Sequence, residues 1–279
     1  MRHIEGKVFG KSNLAIYFQA WLPKETKAVV LIAHGLGEHG GRYRQVAEGL
    51  VAEGCAVYAV DHRGHGRSEG PRAYVDRFQH AVDDLHQVAQ AARKGLRRKP
   101  FFLLGHSMGG AISLSYAIQH QNELSGLILS APAVALDGAP PLIGPICRVL
   151  SVFAPRLGLF GIDPSAVSRD PEMVAAYGTD PLNCHGKVPA RTLCELIGFL
   201  GRLPAQLPGL RLKLLLMHGT ADRLAGPSGS RMVLDRVSSS DKTLKLYDGL
   251  YHEIFNELPL DRGRVFADLR TWIAERLAA

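Results

Sequence analysis

The apolar run Phe101-Phe102-Leu103-Leu104 leads into Gly105-His106-Ser107-Met108-Gly109-Gly110 and then into the helix-like Ala111 to Ala117. A serine held between glycines where a strand becomes a helix is forced into a sharp, strained turn that projects its hydroxyl. It also stands at the positive end of that helix. A serine hydroxyl is a poor nucleophile at neutral pH unless a base takes its proton and an acid orients the base. Two later runs end in the required residue types. Leu212 to Met217 is followed by His218-Gly219-Thr220-Ala221-Asp222, and Thr243 to Tyr247 by Asp248-Gly249-Leu250-Tyr251-His252. The chain has 12 histidines, so any one of them alone says little. The order serine, acid, histidine at the ends of successive strands says far more. Ser107, Asp222 and His252 are the expected catalytic set for acyl transfer, with Asp248 as the alternative acid. His106 is expected to pack beside the serine. The competing structural roles are an incidental serine in a glycine-rich turn, a helix cap at Asp222 and a surface histidine at 252.

A second glycine-rich segment, Gly35-Leu36-Gly37-Glu38-His39-Gly40, follows a buried-strand pattern and fits G-x-G-x-x-G, with Asp61 21 residues beyond Gly40. That is the spacing of a dinucleotide fingerprint. Glu38 counts against it, because a carboxylate would face an anionic pyrophosphate, and a nucleotide would leave the serine, acid and histidine without a role. The same glycines let backbone NH groups approach a substrate oxygen, so His34-Gly35-Leu36-Gly37 reads better as an oxyanion loop. Asp61-His62-Arg63-Gly64-His65-Gly66-Arg67-Ser68 has two histidines but no third ligand at metal spacing, so a tight structural turn is expected and no metal. Arg93-Lys94-Gly95-Leu96-Arg97-Arg98-Lys99 is a basic helix end without interleaved aromatics, and no nucleic-acid partner is expected from it. None of this chemistry calls for a cofactor.

These residues need elements to position them. The runs Ala28 to Ala33, Ala56 to Val60, Phe101 to Leu104, Leu127 to Leu129, Leu212 to Met217 and Thr243 to Tyr247 read as parallel strands covered on both faces. Helical spacing recurs at Tyr43 to Ala52, Phe78 to Lys94, Ala111 to Gln119 and Arg264 to Leu277, and residues 7 to 22 alternate as a hairpin. From about Ala133 to Leu207 the rhythm stops: no clear strand, many prolines and glycines, and apolar stretches at Leu142 to Phe153 and Leu193 to Leu200. The expected fold is α/β, a mostly parallel central sheet with helices on both faces. Residues 1–132 and 208–279 would form the core, and 133–207 a mostly helical cap. At 279 residues, 46% hydrophobic and 21% charged, the chain can bury a sizeable core, which excludes disorder, collagen and coiled coil. Its net charge of +7 favours an anionic surface as a contact. Four irregularly spaced cysteines do not form a disulfide scaffold. No signal-peptide pattern opens the chain and no run of about 18 apolar residues occurs, so a cytoplasmic location is expected.

In His34-Gly35-Leu36-Gly37-Glu38-His39 with Arg42-Tyr43, in Asp61 to Gly70, and in Gly105 to Gly110, the chain resembles the α/β-hydrolase superfamily and, more narrowly, the monoacylglycerol lipases. The likeness continues through Ser168-Arg169-Asp170-Pro171, Tyr177 to Leu182, Gly219 to Leu224 and Tyr251-His252-Glu253. It implies Ser107 as nucleophile, His252 as base and Asp222 as its partner, with the backbone NH groups of Leu36 and Met108 as the oxyanion hole. It also places Glu38, Arg42 and Tyr177 at the glycerol end of the substrate, although Glu38 and Arg42 also suit a loop ion pair and Tyr177 a packed cap residue. The implied substrate is a monoacylglycerol or similar lipid ester. Leu142, Ile143, Ile146, Val149, Leu150, Val152 and Phe153 would line an acyl channel and expose a patch for transient membrane contact, unless they merely pack the cap against the sheet. After the acid the chain departs from the family, running Ala225-Gly226-Pro227 without the cysteine of animal members. A lysophospholipase or broader carboxylesterase would share the catalytic residues. A peptidase would need an acidic cluster to hold an amine, and a non-catalytic receptor on this fold would be expected to lack one of the three residues.

Overall fold

A computed structural model describes residues 1–135 and 142–278, so the start of the expected cap, residues 136–141, lies outside the described residues. Among the described residues, eight strands form one sheet in the order β1 (Arg2–Phe9), β2 (Ala15–Leu22), β4 (Cys55–Val60), β3 (Ala28–Ala33), β5 (Phe101–His106), β6 (Gly126–Ser130), β9 (Leu214–Gly219) and β10 (Lys242–Tyr247). From β4 to β10 every neighbouring pair is parallel. The hairpin β1–β2 closes one edge antiparallel to β4. β3, β4, β5, β6 and β9 are buried along their whole length. A strand covered on both faces needs an unbroken apolar run, and the sequence supplies one in each case.

Alternate residues of these strands feed two cores. Val29 and Leu31 point to the face covered by α2 (Phe78–Ala92) and α3 (Ser107–His120). Val30 and Ile32 point to the face covered by α1 (Arg44–Ala52) and α8 (Pro259–Ala278). The remaining core helix, α7 (Ser228–Arg236), packs between β9 and β10 in chain order and beside both in space.

Between β6 and β9, which are neighbours in the sheet, the chain leaves the core to build α4 (Ile143–Phe153), β7 (Gly158–Phe160), α5 (Pro171–Thr179), β8 (Val188–Pro189) and α6 (Ala190–Gln206). The segment is mostly helical, but it is not free of strands: β7 and β8 pair antiparallel as a short second sheet. Two and three residues are too few to leave an alternation in the sequence. α5 begins where its sequence says it should, with Asp170 accepting from the NH of Glu172 at 2.9 Å and Pro171 at the first helical position. The segment is fastened to the core by the stacked rings of Phe78 and Phe199, 4.4 Å apart, and by Thr192, which accepts from the NH of Val75 and donates to the carbonyl of Ala73.

The glycines flanking Ser107 are demanded by contact. A Cβ on Gly109 would lie 2.2 Å from the carbonyl oxygens of both Ala33 and His34, and one on Gly105 would lie 2.5 Å from the carbonyl oxygen of Gly109. Helix α3 therefore crosses the end of β3 closer than any side chain permits. Gly109→Ala is expected to cost about 3 kcal/mol through overpacking against backbone that cannot rotate away. Thermal unfolding of the purified variant checks this, and an unchanged midpoint contradicts the close approach.

Candidate active site

Ser107 sits at the junction of β5 and α3 with φ +52°, a left-handed conformation that costs a non-glycine residue about 1–3 kcal/mol. Its carbonyl accepts from the NH of Ala133 at 3.0 Å, which fixes the turn against the chain leaving β6. The hydroxyl has no hydrogen-bond partner among the described residues and opens into a cavity that His252 also lines.

The histidine and the acid meet from two further strand ends. Asp222 follows β9 and His252 follows β10, and His252 Nδ1 donates to Asp222 Oδ2 at 2.7 Å. The other carboxylate oxygen, Oδ1, accepts from the NH groups of Leu224 and Ala225 at 2.8 and 3.0 Å. Asp222 thus caps the following turn as well as holding the imidazole. Asp248, the alternative acid, accepts instead from the Thr220 hydroxyl on the surface. Burial opposes the charge of Asp222, but hydrogen bonds from His218 and His252 outweigh it and hold the carboxyl below its usual range. Burial likewise pulls His252 down, and the hydrogen bond and charge of Asp222, helped by Glu253 and Glu38, push it above an ordinary histidine. His106 packs against the His252 ring at 4.6 Å, its Nδ1 beside the carbonyl of Ser130, and burial drives its pKa down to about 3.

Leu36 and Met108 line the same cavity, and their backbone NH groups have no acceptor among the described residues. The loop carrying Leu36 is stiffened from both sides. Glu38 Oε1 accepts from the NH of Gly35 at 2.6 Å and from the Tyr43 hydroxyl at 2.8 Å. His34 Nδ1 donates to the carbonyl of Gly35, and its Nε2 accepts from the NH of His62. Asp61 accepts from the NH groups of Gly40 and Arg67, so it ties two turns together where a nucleotide enzyme would need it for a ribose.

Of the three residues expected at the polar end, Glu38 and Tyr177 line the cavity. Tyr177 presents a buried hydroxyl with no partner among the described residues. Arg42 lies behind them. One guanidinium nitrogen contacts Glu38 Oε2 at 3.0 Å, the pair of nitrogens grips both oxygens of Glu253, and the group lies 4.8 Å from the Tyr177 ring. Three hydrogen bonds commit it to the two carboxylates, so it braces the polar wall from behind and is not among the residues lining the cavity. Glu253, which shares that wall, carried no role in the sequence reading. Its partner Arg42 is 211 residues away, and the only local signal is a carboxylate directly after the histidine. Burial would raise the Glu253 carboxyl, but the two-point grip of Arg42 brings it to about 2. Glu38, touched by Arg42 at one point, is pushed up by burial.

The apolar wall also differs from expectation. Leu193, Leu196 and Leu200 of α6, with Phe160 and Ile162, face the cavity. The α4 residues expected to line it point away: Ile146, Val149, Val152 and Phe153 are 50%, 57%, 67% and 84% exposed. Of the two roles expected of this helix, its apolar stripe is placed for the exposed patch and not for lining the channel.

A mostly parallel sheet carrying a strained serine elbow, with an acid and a histidine joined after two later strands, defines an α/β-hydrolase. A family model described as serine aminopeptidase, S33, matches residues 24–259. The chain is 42% identical to a monoacylglycerol lipase of Mycolicibacterium smegmatis, over 96% of each chain, and 38% identical to the monoglyceride lipase of Rattus norvegicus, over 94% of this chain and 88% of that one. The crystal structure of a soluble variant of monoglyceride lipase from Saccharomyces cerevisiae, in complex with a substrate analog, superimposes with a TM-score of 0.86 at 26% identity, covering 97% of this chain and 94% of that one. The chain belongs to the monoacylglycerol lipase family of α/β-hydrolases.

Arg42 is the cation held between two buried carboxylates, so Arg42→Met is expected to destabilise the fold by about 3–5 kcal/mol at neutral pH. Without the cation, Glu38 and Glu253 become harder to ionise when folded than when unfolded, and ionisation then favours unfolding. The loss should therefore grow as pH rises through the carboxylate range and shrink toward pH 4. Thermal midpoints of variant and parent across pH test this, and a pH-independent gap counts against the ion cluster.

Proposed function

We propose that the protein hydrolyses the ester bond of monoacylglycerols, releasing glycerol and a fatty acid through an acyl-enzyme on Ser107. The observation that carries this reading is a hydrogen-bonded His252–Asp222 pair opening, together with Ser107, into one cavity with an apolar wall and a polar end. Ser107 Oγ attacks the ester carbonyl while His252 Nε2 takes its proton, and Asp222 stabilises the imidazolium. The tetrahedral oxyanion is received by the NH groups of Leu36 and Met108. Each such donor is worth about 3 kcal/mol in the transition state. The imidazolium protonates the departing glycerol, and water activated by the same histidine then releases the fatty acid.

Selectivity follows from the two walls. Burying each methylene of an acyl chain against Leu193, Leu196 and Leu200 is worth about 0.8 kcal/mol, which favours medium and long chains over acetate. The unpartnered Tyr177 hydroxyl, at the end of the cavity that Glu38 also lines, suits a free hydroxyl of a glycerol leaving group, because a buried polar group without a partner costs about 1–3 kcal/mol until a ligand supplies one. The description of the matching family model names an aminopeptidase, which would need a carboxylate for the substrate amine. Arg42 sits on both candidate carboxylates, gripping Glu253 at both oxygens and Glu38 at one, so an incoming ammonium would meet a cation already in place, which favours the ester.

The 133–207 segment acts in this reading as a cap, and the outward apolar stripe of α4 as its contact with a lipid surface. The net charge of +7 adds attraction to anionic headgroups. Among the described residues no helix is long and apolar enough to cross a membrane, so the contact is with the surface.

Relative kcat/KM on mono-, di- and triacylglycerols and a lysophospholipid, with Ser107→Ala as control, tests the function. Monoacylglycerols are expected to lead, and Ser107→Ala to lose both turnover and fluorophosphonate labelling while keeping its fold. A lead for triacylglycerols or the lysophospholipid overturns the substrate, and a labelled Ser107→Ala overturns the nucleophile. Phe153→Ser removes about 2 kcal/mol of transfer free energy, so binding to anionic vesicles should weaken about thirtyfold while hydrolysis of a soluble short-chain ester is unchanged. Equal vesicle binding by the two proteins counts against α4 as the lipid contact.

A further inference from the structure

Asp222 Oδ2 receives a second hydrogen bond that the mechanism above leaves unused. His218, near the end of β9, is wholly buried and places Nε2 3.1 Å from that oxygen. The same nitrogen lies 2.6 Å from the carbonyl oxygen of Ala225, and Nδ1 lies 2.7 Å from the hydroxyl of Ser230 on α7. Both neighbours of Nε2 are acceptors, so the proton sits there, and Nδ1 accepts from the Ser230 hydroxyl. The two acceptors therefore set the tautomer of His218, Ser230 anchors the other side of the ring, and His218 in turn holds Asp222.

A carboxylate offers about four acceptor sites. All four on Asp222 are filled: Leu224 and Ala225 on Oδ1, His252 and His218 on Oδ2. A carboxylate held at four points cannot rotate away from His252, and the share of its charge drawn by His218 is not available to the catalytic imidazole. We infer that His218 is a positioning residue which fixes the Asp222 carboxylate and limits how strongly it raises the basicity of His252. The inference rests on the reading of Asp222 as the acid of the mechanism. The other titratable or charged groups near His252 are Glu38 and Glu253, both held by Arg42, and His106 of β5. Arg223 is turned toward the ring of Tyr251, 4.7 Å away. None of these donates to Asp222.

The sign of the effect follows from these contacts. His252 must be neutral to act as a base, so its pKa sets the acid limb of kcat/KM. If the His218 donor is removed, the charge of Asp222 falls more fully on His252 and the limb moves to higher pH. His218→Met fills a similar volume without a donor, whereas His218→Gln keeps an NH group for the same acceptors. Both are to be assayed on a soluble short-chain ester across pH, with active sites counted by fluorophosphonate.

The Met variant is expected to shift the acid limb upward by about half a pH unit and to lower kcat about tenfold, with KM within about twofold of the parent. The Gln variant is expected to restore both. A limb that stays in place in the Met variant, or a Gln variant no better than Met, overturns the proposal. Should the Met variant fail to fold, Ser230→Ala decides: loss of the hydroxyl frees Nδ1 and loosens the anchored ring, and a smaller upward shift is expected, while an unmoved limb overturns the proposal. His252→Gln serves as the separate control. If it is inactive while the His218 variants leave the limb unmoved, the triad reading stands and only the role of His218 falls.

Discussion

The guanidinium of Arg42, enclosed with two carboxylates, is the interaction on which the arrangement of the site depends. Glu38 belongs to the loop that presents the Leu36 NH, Glu253 directly follows His252, and Tyr177 reaches in from α5. Three segments far apart in sequence are thus drawn to one buried charge. Such a cluster adds little net stability over well-packed apolar groups, because desolvation consumes most of the attraction. It does make every other mutual placement of the three segments expensive, since any of them would strand a charge. Position, more than stability, is what the ion cluster provides.

Burial also sorts the histidines. His34, His62, His65 and His106 are enclosed without a carboxylate partner, and burial forces each of them down. They remain neutral: the rings of His34, His65 and His106 hydrogen-bond within the loops around the serine, and the ring of His62 packs 4.5 Å from that of His34. His252 is just as enclosed, but Asp222 reverses the direction. Of these five enclosed imidazoles only His252 is pushed up, and the difference begins with the hydrogen bond, 2.7 Å long, and the charge of Asp222.

Much of this was legible in the sequence, for a physical reason. Strands buried on both faces must be continuously apolar, and an exposed nucleophile between a strand and a helix must have glycine neighbours. Runs such as Ala28 to Ala33 and the segment Gly105 to Gly110 therefore declare themselves. The order Ser107, Asp222, His252 could be read because each residue ends or follows a strand. What stayed hidden depends on contacts that leave no local period. Arg42 and Glu253 are a distant pair, so the direct glycerol contact expected of Arg42 gives way to a role behind the wall. The outward turn of α4 depends on how it packs on α6, not on its own amphipathic pattern. β7 and β8 are too short to show alternation.

The two rims of the sheet bear on a different matter. β1 exposes Arg2, Glu5 and Lys7 along its open side, and β10 exposes Lys242 and Lys245. An unpaired strand invites addition of another chain, and charged side chains along it make that addition costly. Copies brought together at high local density are thereby discouraged from zipping edge to edge into fibrils, so whatever adhesion the molecule has is left to helical surfaces, where contact is shallow and reversible.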